Sequence, residues 1–249
     1  IMIGEKQRIG NLAGDMKLNE LIIQRHIYSI KRYNKNMKQG VNMETIIYLI
    51  RHADTIDELG VRNTNETSQA INEKEILSIK GEEDSKELSE KQELKNIEAI
   101  WCSSYVRAKQ TAKYIANKNN LQINLDDRLN ERKLGNLKEI AIFMKDKITR
   151  DPSQEQLLHQ KFKTSDGESA EDTNKRMTEF LNECLKKYKG KRIAIISHGG
   201  SIKFLLLNWC NVNNNVKLEY RGKELNIASP CLLKLTFKEN NLVNLEQIS

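Results

Sequence analysis

The chain has 249 residues, 38% of them hydrophobic, which suits one α/β domain with a sizeable core. Its formal net charge of +7 does not by itself indicate nucleic-acid binding, because no basic motif with interleaved aromatic residues is present. Residues 1–43 hold eight Lys or Arg against three Asp or Glu, so the remainder is nearly balanced. No apolar run approaches the roughly 18 residues of a membrane span.

The first 43 residues form a basic extension of unknown role, and we expect the folded domain to occupy residues 44–249. Between Leu18 and Tyr33 apolar residues recur at helical spacing among Lys and Arg, which predicts a basic amphipathic helix. This helix could contact a membrane or a partner, lie on the surface, or belong to a non-native leader before a start at Met43. No secretory signal is indicated.

A buried strand is predicted at Ile46–Ile50, where β-branched and aromatic residues form a continuous apolar run. Arg51 and His52 follow it directly. Ligands of open α/β sheets bind beyond the carboxyl ends of the strands, so this basic pair stands where catalytic groups are expected. The simpler alternative is a basic pair that only solvates the strand end.

The middle of the chain continues the alternation of helices and strands. Arg107 falls in the first turn of its predicted helix, where the helix dipole gives a cation no advantage, so its position indicates an anionic partner. The expected elements are a long loop at 56–74, a helix at 81–94, a strand at 98–103, a helix at 105–117 and a strand at 122–125.

The last third repeats the strand-histidine pattern, because Arg192–Ile196 precedes Ser197, His198, Gly199 and Gly200. The two glycines allow a close backbone approach, and the N–H groups of the following helix favour an anion. We therefore expect two histidines at one site. The other expected elements are a helical insertion at 141–162 broken at Asp151-Pro152, helices at 169–188 and 201–210, and a C-terminal hairpin at 231–237 and 242–248.

Four cysteines, Cys102, Cys184, Cys210 and Cys231, lie far apart and form no CxxC pair. Neither a zinc site nor a redox motif is indicated, and we expect reduced thiols in a cytoplasmic protein. Cys102 precedes a proposed catalytic loop, but a packing role is the simpler interpretation.

Four motifs in this order resemble the histidine phosphatase superfamily, the phosphoglycerate-mutase-like group. They are Leu49-Ile50-Arg51-His52-Ala53-Asp54-Thr55, Cys102-Ser103-Ser104-Tyr105-Val106-Arg107-Ala108-Lys109-Gln110-Thr111-Ala112, Leu129-Asn130-Glu131-Arg132-Lys133-Leu134-Gly135 and Ser197-His198-Gly199-Gly200. The resemblance covers about the last four-fifths of the chain, and four weak motifs together are specific. It implies a three-layer α/β/α fold with a mostly parallel central sheet, a helical insertion over the active site and a C-terminal hairpin.

The resemblance also implies the catalytic roles. His52 would be the nucleophile that forms a phosphohistidine, and Glu131 would protonate the leaving group and then activate water. Arg51, Arg107 and His198 would bind the phosphate, with the N–H of Gly199 as a further donor. No metal and no cofactor are implied, and the sequence offers no acidic or thiol cluster with ligand spacing.

The chain departs from the family at Ala53, where Gly is usual, and at Glu58, where many members have Asn. Both departures lie in the loop from which phosphate contacts would come. The favoured function is hydrolysis of a small phosphorylated metabolite. The alternatives are a cofactor-dependent phosphoglycerate mutase, whose arginine-tyrosine cluster is missing from Lys138–Arg150, and a non-catalytic binding module. As partners we expect the phosphorylated substrate, no nucleic acid and no membrane span, and we leave a homodimer open.

Overall fold

A six-stranded mixed sheet forms the centre of the computed structural model, which describes residues 43–56 and 68–248. The strands of this part of the chain are β1 (Glu44–Arg51), β2 (Ala99–Cys102), β3 (Ile123–Leu125), β4 (Arg192–Ser197), β5 (Asn211–Val212), β6 (Leu218–Tyr220), β7 (Lys223–Glu224), β8 (Cys231–Lys238) and β9 (Asn241–Ile248). The central order is β3-β2-β4-β1-β8-β9. The first four strands pair in parallel, and β8 and β9 add an antiparallel edge.

Helices cover both faces of this sheet. In the described ranges they are α1 (Ser68–Lys74), α2 (Ile79–Glu90), α3 (Val106–Asn119), α4 (Leu137–Met144), α5 (Pro152–Glu155), α6 (Ala170–Lys187) and α7 (Gly199–Leu206). The start of α6 follows from local sequence: Ser169 accepts from the N–H of Asp172, whose carboxylate accepts from the N–H of Ser169. None of these helices is both long and apolar enough to cross a membrane.

The alternating side chains of β1 produce the layers. Ile47 and Leu49 pack into one apolar cluster with α6 and α7, and Tyr48 and Ile50 pack into a second cluster with α2 and α3. Full burial of one such side chain stabilises the fold by about 1.5–3 kcal/mol. A strand buried on both faces must be apolar throughout, which explains the continuous apolar run. The predicted three-layer α/β/α fold with a mostly parallel sheet is confirmed.

The register between β1 and β4 sets the position of the two histidines. Arg51 lies opposite Ser197 in this parallel pair, and the N–H of His52 donates to the carbonyl of Ser197 at 3.1 Å. Both strands therefore end at the same edge of the sheet, and His198 follows at the same level as His52. The expectation that polar groups gather beyond the strand ends is met here.

Several boundaries differ from those predicted. The expected loop at 56–74 contains α1, whose Gln69 amide donates to the Tyr105 hydroxyl at 2.6 Å. Such a contact, distant in sequence, stabilises a short helix that local periodicity does not reveal. Helix α7 begins at Gly199, two residues before the predicted start at Ser201. His198 before it has an extended backbone and takes the N-cap position. The small sheet β5-β6-β7 was not predicted.

Other expectations agree with the structure. The C-terminal hairpin is formed by β8 and β9, with positive φ at the turn residues Glu239 and Asn240. The expected insertion at 141–162 contains α5, which begins with Pro152 in its first turn after the Asp151 cap, whereas α4 begins at Leu137, four residues before the predicted start. The predicted amphipathic helix at Leu18–Tyr33 and the departure at Glu58 lie outside the described residues.

Candidate active site

His52 is held as a neutral imidazole, with a hydrogen-bond partner at each ring nitrogen. Its Nδ1 lies 2.8 Å from the carbonyl of Ala53, which only accepts, so Nδ1 carries the proton. Its Nε2 therefore accepts from Nε of Arg107, at 3.0 Å. Burial, followed by the charge of Arg107, lowers the pKa of His52 from 6.5 to about 3. The ring thus presents an unprotonated Nε2 at neutral pH.

Arg107 comes from the first turn of α3, as predicted, and its guanidinium is almost completely buried. Besides His52, it donates to the carbonyl and the side-chain oxygen of Asn72, and Nη1 lies 3.3 Å from Oε2 of Glu75. Burial lowers the pKa of Arg107, and the charge of Glu75 opposes that effect. Hydrogen-bond acceptors from outside α3 therefore explain why an arginine lies in the first turn of this helix.

Arg51 lies against the start of α7. Its Nη1 donates to the carbonyl of Ile227 at 2.6 Å, and its buried Nε has no partner among the described residues. A Cβ at Gly199 would lie 3.0 Å from the guanidinium carbon of Arg51, which is too close for an unadjusted contact. The absence of a Cβ at Gly199 therefore favours this approach of Arg51, whose buried Nε stays available as a donor.

His198 is fully buried and its tautomer is opposite to that of His52. The Asn130 amide is oriented by donating to Asp127, so its oxygen accepts from the hydroxyl of Ser103 at 2.7 Å. Since that proton is used, the Ser103 oxygen must accept from Nε2 of His198, also at 2.7 Å. Nδ1 of His198 is then unprotonated, and it has no partner in the described part of the chain.

The charge state of His198 follows from the same surroundings. Burial and then the charge of Arg107 place the pKa of His198 well below its usual value. The two histidine rings are 5.0 Å apart between centroids. The site without ligand therefore contains two neutral imidazoles beside two arginines, and an anion that entered would raise both pKa values.

Glu131 lies over the first turn of α7. Its Oε2 accepts from the N–H of Gly200 at 3.0 Å, and its Oε1 accepts from the N–H of Ser201 at 2.9 Å and from the Ser201 hydroxyl at 3.2 Å. A Cβ at Gly200 would lie 2.7 Å from Oε1, so glycine permits this approach. The helix N-terminus that was expected to attract an anion holds this carboxylate.

A cleft of about 480 Å³ opens beside Glu131. Ser104, Tyr105 and Asn130 supply hydroxyl and amide groups to its wall. Glu168 lies there too, but it is paired with Arg176, with N–O distances of 2.8 and 3.0 Å. Although burial raises it, this arginine keeps the pKa of Glu168 below its usual value. Glu131, by contrast, is held beside this cleft by two N–H groups of α7.

The predicted site residues lie close together at this edge of the sheet and form three sets of neighbours. His52 contacts Arg107 and His198, Arg51 contacts Gly199, and Glu131 contacts the helix that starts at Gly199. Their catalytic roles remain predictions. His159 in the insertion is exposed and lies outside these groups, and all four cysteines are free and buried.

Sequence reasoning missed two residues that fix the state of His198, namely Ser103 and Asn130. Both lie inside quoted motifs, yet nothing in their spacing shows that a serine after β2 and an asparagine before Glu131 meet at a histidine. Ala53 was noted as a departure, and its N–H donates to the Thr111 hydroxyl at 3.1 Å. No group of three or more possible metal-ligating His, Cys, Asp or Glu side chains occurs within residues 43–56 and 68–248.

Comparison with known proteins identifies the family of this chain. The sequence profile of the histidine phosphatase superfamily (branch 1) matches residues 47–245. Among curated proteins, the probable phosphoglycerate mutase GpmB of Salmonella arizonae is 30% identical over 157 residues, which are 61% of this chain and 69% of that protein. The protein of the same name from Yersinia enterocolitica is 28% identical over 166 residues, 64% of this chain and 72% of that one.

Solved structures share the fold at low sequence identity. The mycobacterial glucosyl-3-phosphoglycerate phosphatase is 20% identical with a TM-score of 0.58, and the match covers 78% of this chain and 90% of that one. The phosphoglycerate mutase of Bacillus anthracis is 19% identical with a TM-score of 0.59, covering 83% and 93%. A phosphoserine phosphatase variant of Entamoeba histolytica is 20% identical with a TM-score of 0.53, covering 81% and 96%.

Proposed function

Since this chain belongs to the histidine phosphatase superfamily, we propose that it hydrolyses a small phosphorylated metabolite through a phosphohistidine on His52. The observation that carries this proposal is the unprotonated Nε2 of His52, which has Nε of Arg107 at 3.0 Å as its hydrogen-bond partner. A neutral imidazole is a nucleophile without activation by a metal ion. The guanidinium of Arg107 beside it is the group that would bind the phosphate oxygens.

The first step transfers the phosphoryl group to Nε2 of His52. The equatorial oxygens would be bound by the guanidinium groups of Arg51 and Arg107. The free Nδ1 of His198 can take up a proton once the phosphate dianion is beside it, and it then becomes another donor. Glu131 would give its proton to the departing oxygen of a leaving group in the adjoining cleft.

The second step reverses the proton transfer. Glu131 would accept a proton from a water molecule as that water attacks the phosphohistidine, which releases inorganic phosphate and restores the neutral His52. The N–H groups of Gly200 and Ser201 hold the carboxylate in place for both steps. The two steps together cleave one phosphomonoester and consume one water molecule.

A phosphoglycerate mutase is the second candidate, because curated relatives bear that name. A mutase must keep the phosphoenzyme long enough to return the phosphate and must bind the carboxylate of the glycerate. The segment that would cover the site shows exposed apolar side chains at Leu137, Ile142 and Ile148. The same segment has lysines but lacks the arginine-tyrosine cluster that the family resemblance implies for a mutase, so hydrolysis is the better-supported activity.

The test is a panel of phosphorylated metabolites assayed with and without chelator, followed by single-turnover labelling with the best substrate. We expect chelator-insensitive release of phosphate and acid-labile, base-stable label on His52. Labelled phosphoenzyme mixed with 3-phosphoglycerate should lose its label to water. Transfer of the label to the glycerate would identify a mutase, and label on serine would end the phosphohistidine mechanism.

We further propose a cytoplasmic location and keep the division into residues 1–43 and 44–249. The free, buried state of all four cysteines supports the location, and cell fractionation would test it. The profile match at residues 47–245 falls inside the second segment, and limited proteolysis would test the boundary. A homodimer stays a prediction that sedimentation would decide.

A further inference from the structure

Arg107 has few hydrogen-bonding positions left for a substrate. Its Nε donates to His52 at 3.0 Å, and its Nη2 donates to Oδ1 of Asn72 at 2.9 Å. Its Nη1 donates to the carbonyl of Asn72 and lies 3.3 Å from the carboxylate of Glu75. A guanidinium has five N–H groups in a fixed planar fork. A phosphate that binds this fork in two places must therefore take donors away from its present partners.

Glu75 supplies the negative charge that Arg107 needs when no phosphate is bound. The arginine side chain is 3% exposed, and a buried cation without a partner would be costly. Oε1 of Glu75 is fixed separately by the Thr55 hydroxyl, at 3.0 Å. The carboxylate is thus held beside the arginine by a second residue of the strand-end motif. A phosphate dianion at Arg107 would meet this charge.

The segment that carries Asn72 and Glu75 is attached to the fold at both ends. Gln69 in α1 donates to the Tyr105 hydroxyl at 2.6 Å, and the N–H of Leu77 donates to the Gln110 side chain at 2.8 Å. Both acceptors belong to the turn or helix that also provides Arg107. The backbone that carries Asn72 and Glu75 is therefore fixed relative to Arg107. Their contacts with the arginine follow from that backbone position as well as from their side-chain rotamers.

From these contacts we propose that Asn72 and Glu75 are positioning residues that compete with the phosphate group for Arg107. The proposal deepens the function proposed above and rests on it. Competition of this kind weakens the binding of substrate and of product phosphate equally, so it acts on KM and leaves the chemical barrier from the bound state nearly unchanged. It speeds release of inorganic phosphate, which a hydrolase needs and a mutase avoids.

The test measures binding of inorganic phosphate by calorimetry at low salt and neutral pH, in the full-length protein. Glu75→Gln removes the competing charge and should tighten phosphate binding by about tenfold, the scale of one hydrogen bond to a charged group. Asn72→Ala keeps the backbone carbonyl and should give a smaller gain, about threefold. In turnover, KM should fall in both variants, and kcat should stay within about twofold of wild type where the chemical step, and not phosphate release, limits the rate.

Glu73→Gln is the matched control, because Glu73 is an exposed acid at the wall of the adjoining cleft, two residues before Glu75, and it bonds to Gln69 instead of Arg107. Its phosphate affinity should equal that of wild type within about twofold, as expected for a screened, exposed charge. Thermal unfolding of each variant shows whether the fold is kept. If Glu75→Gln is poorly folded, Asn72→Ala carries the test.

Equal or weaker phosphate binding in both Arg107-directed variants would overturn the proposal, since these residues would then only support the arginine. So would an equal gain in Glu73→Gln, which would point to general electrostatics. The binding readout needs no turnover. If the wild-type protein hydrolysed no phosphomonoester while Glu75→Gln bound phosphate more tightly, the proposed hydrolase activity would be refuted and the competition for Arg107 would stand. If the wild-type protein were a hydrolase and neither variant bound phosphate more tightly, the competition would be refuted and the hydrolase activity would stand.

Discussion

The ends of β1 and β4 carry the same pattern, a strand followed by histidine, yet the two rings are held in opposite states. His52 has its proton on Nδ1 and offers Nε2 to Arg107, whereas His198 has its proton on Nε2 and leaves Nδ1 without a partner. The difference comes from the neighbours, a backbone carbonyl in one case and the Ser103 hydroxyl in the other. One motif can therefore supply a nucleophile and a donor.

The largest effect should separate the two histidines by loss of the side chain. His52→Ala should abolish turnover and phosphoenzyme formation, because no other ring in the site is placed to replace its Nε2. His198→Ala should still form phosphoenzyme, about 10²–10³ times more slowly, the usual cost of one transition-state donor. Rapid-quench labelling measures both. Label in His52→Ala, or none in His198→Ala over long times, would reverse the assignment.

The two arginines should act together with the nucleophile His52 in forming the phosphoenzyme. Arg51→Lys and Arg107→Lys should each lower the rate of phosphoenzyme formation about 10²–10³-fold, because lysine keeps the charge and loses the planar fork. Lys109→Arg, at a half-buried position of α3, is a control for added guanidinium at constant charge. A rate within a few-fold of wild type in either test variant would remove that arginine from the phosphate site.

Glu131 lies near the end of β4, because the N-terminus of α7, which follows His198, binds its carboxylate. An alkyl phosphate needs a proton on its leaving oxygen and p-nitrophenyl phosphate does not, so Glu131→Gln should slow phosphoenzyme formation mainly with the alkyl substrate. The variants of Arg51 and His198 should slow both substrates. Single turnovers are required, because Glu131 also serves the second step. Equal slowing of both substrates by Glu131→Gln would move the proton donor elsewhere.

A separate effect is on stability instead of rate, and it follows from the lowered pKa of His52. Between pH 6.5 and about 3 the unfolded chain binds a proton at this residue that the native protein does not, so stability rises with pH in that window and levels off above it. His52→Gln should reduce the slope by up to about 1.4 kcal/mol per pH unit. Urea unfolding at several pH values measures it. Parallel curves for the two proteins would contradict the depressed pKa.

Much of the fold was readable because its signals are local. The apolar run at Ile46–Ile50 indicated burial on both faces, and the observed packing of Ile47 and Tyr48 into different clusters is that arrangement. The capping pair Ser169 and Asp172 likewise marked the start of α6. Periodicity and capping act within a few residues, so a single sequence contains them in full.

The parts that escaped prediction depend on contacts distant in sequence. Helix α1 is attached through Gln69 and Asn72 to side chains of α3 and the turn before it, and no local pattern announces that attachment. The link from Ser103 to His198 is of the same kind. The candidate site could be assembled from motifs, but the protonation of its rings required the three-dimensional neighbours.

The pairing of β1 has a consequence for how the protein reaches its working state. This strand lies between β4 and β8, with Arg51 opposite Ser197 on one side and Cys231 on the other. Both partners are synthesised long after β1, and closing such long loops slows folding. A chain still lacking β8 would leave one edge of the His52 strand unpaired. Activity should therefore arise late, after the C-terminal hairpin has docked, and ribosome-bound chains arrested before Cys231 should be inactive.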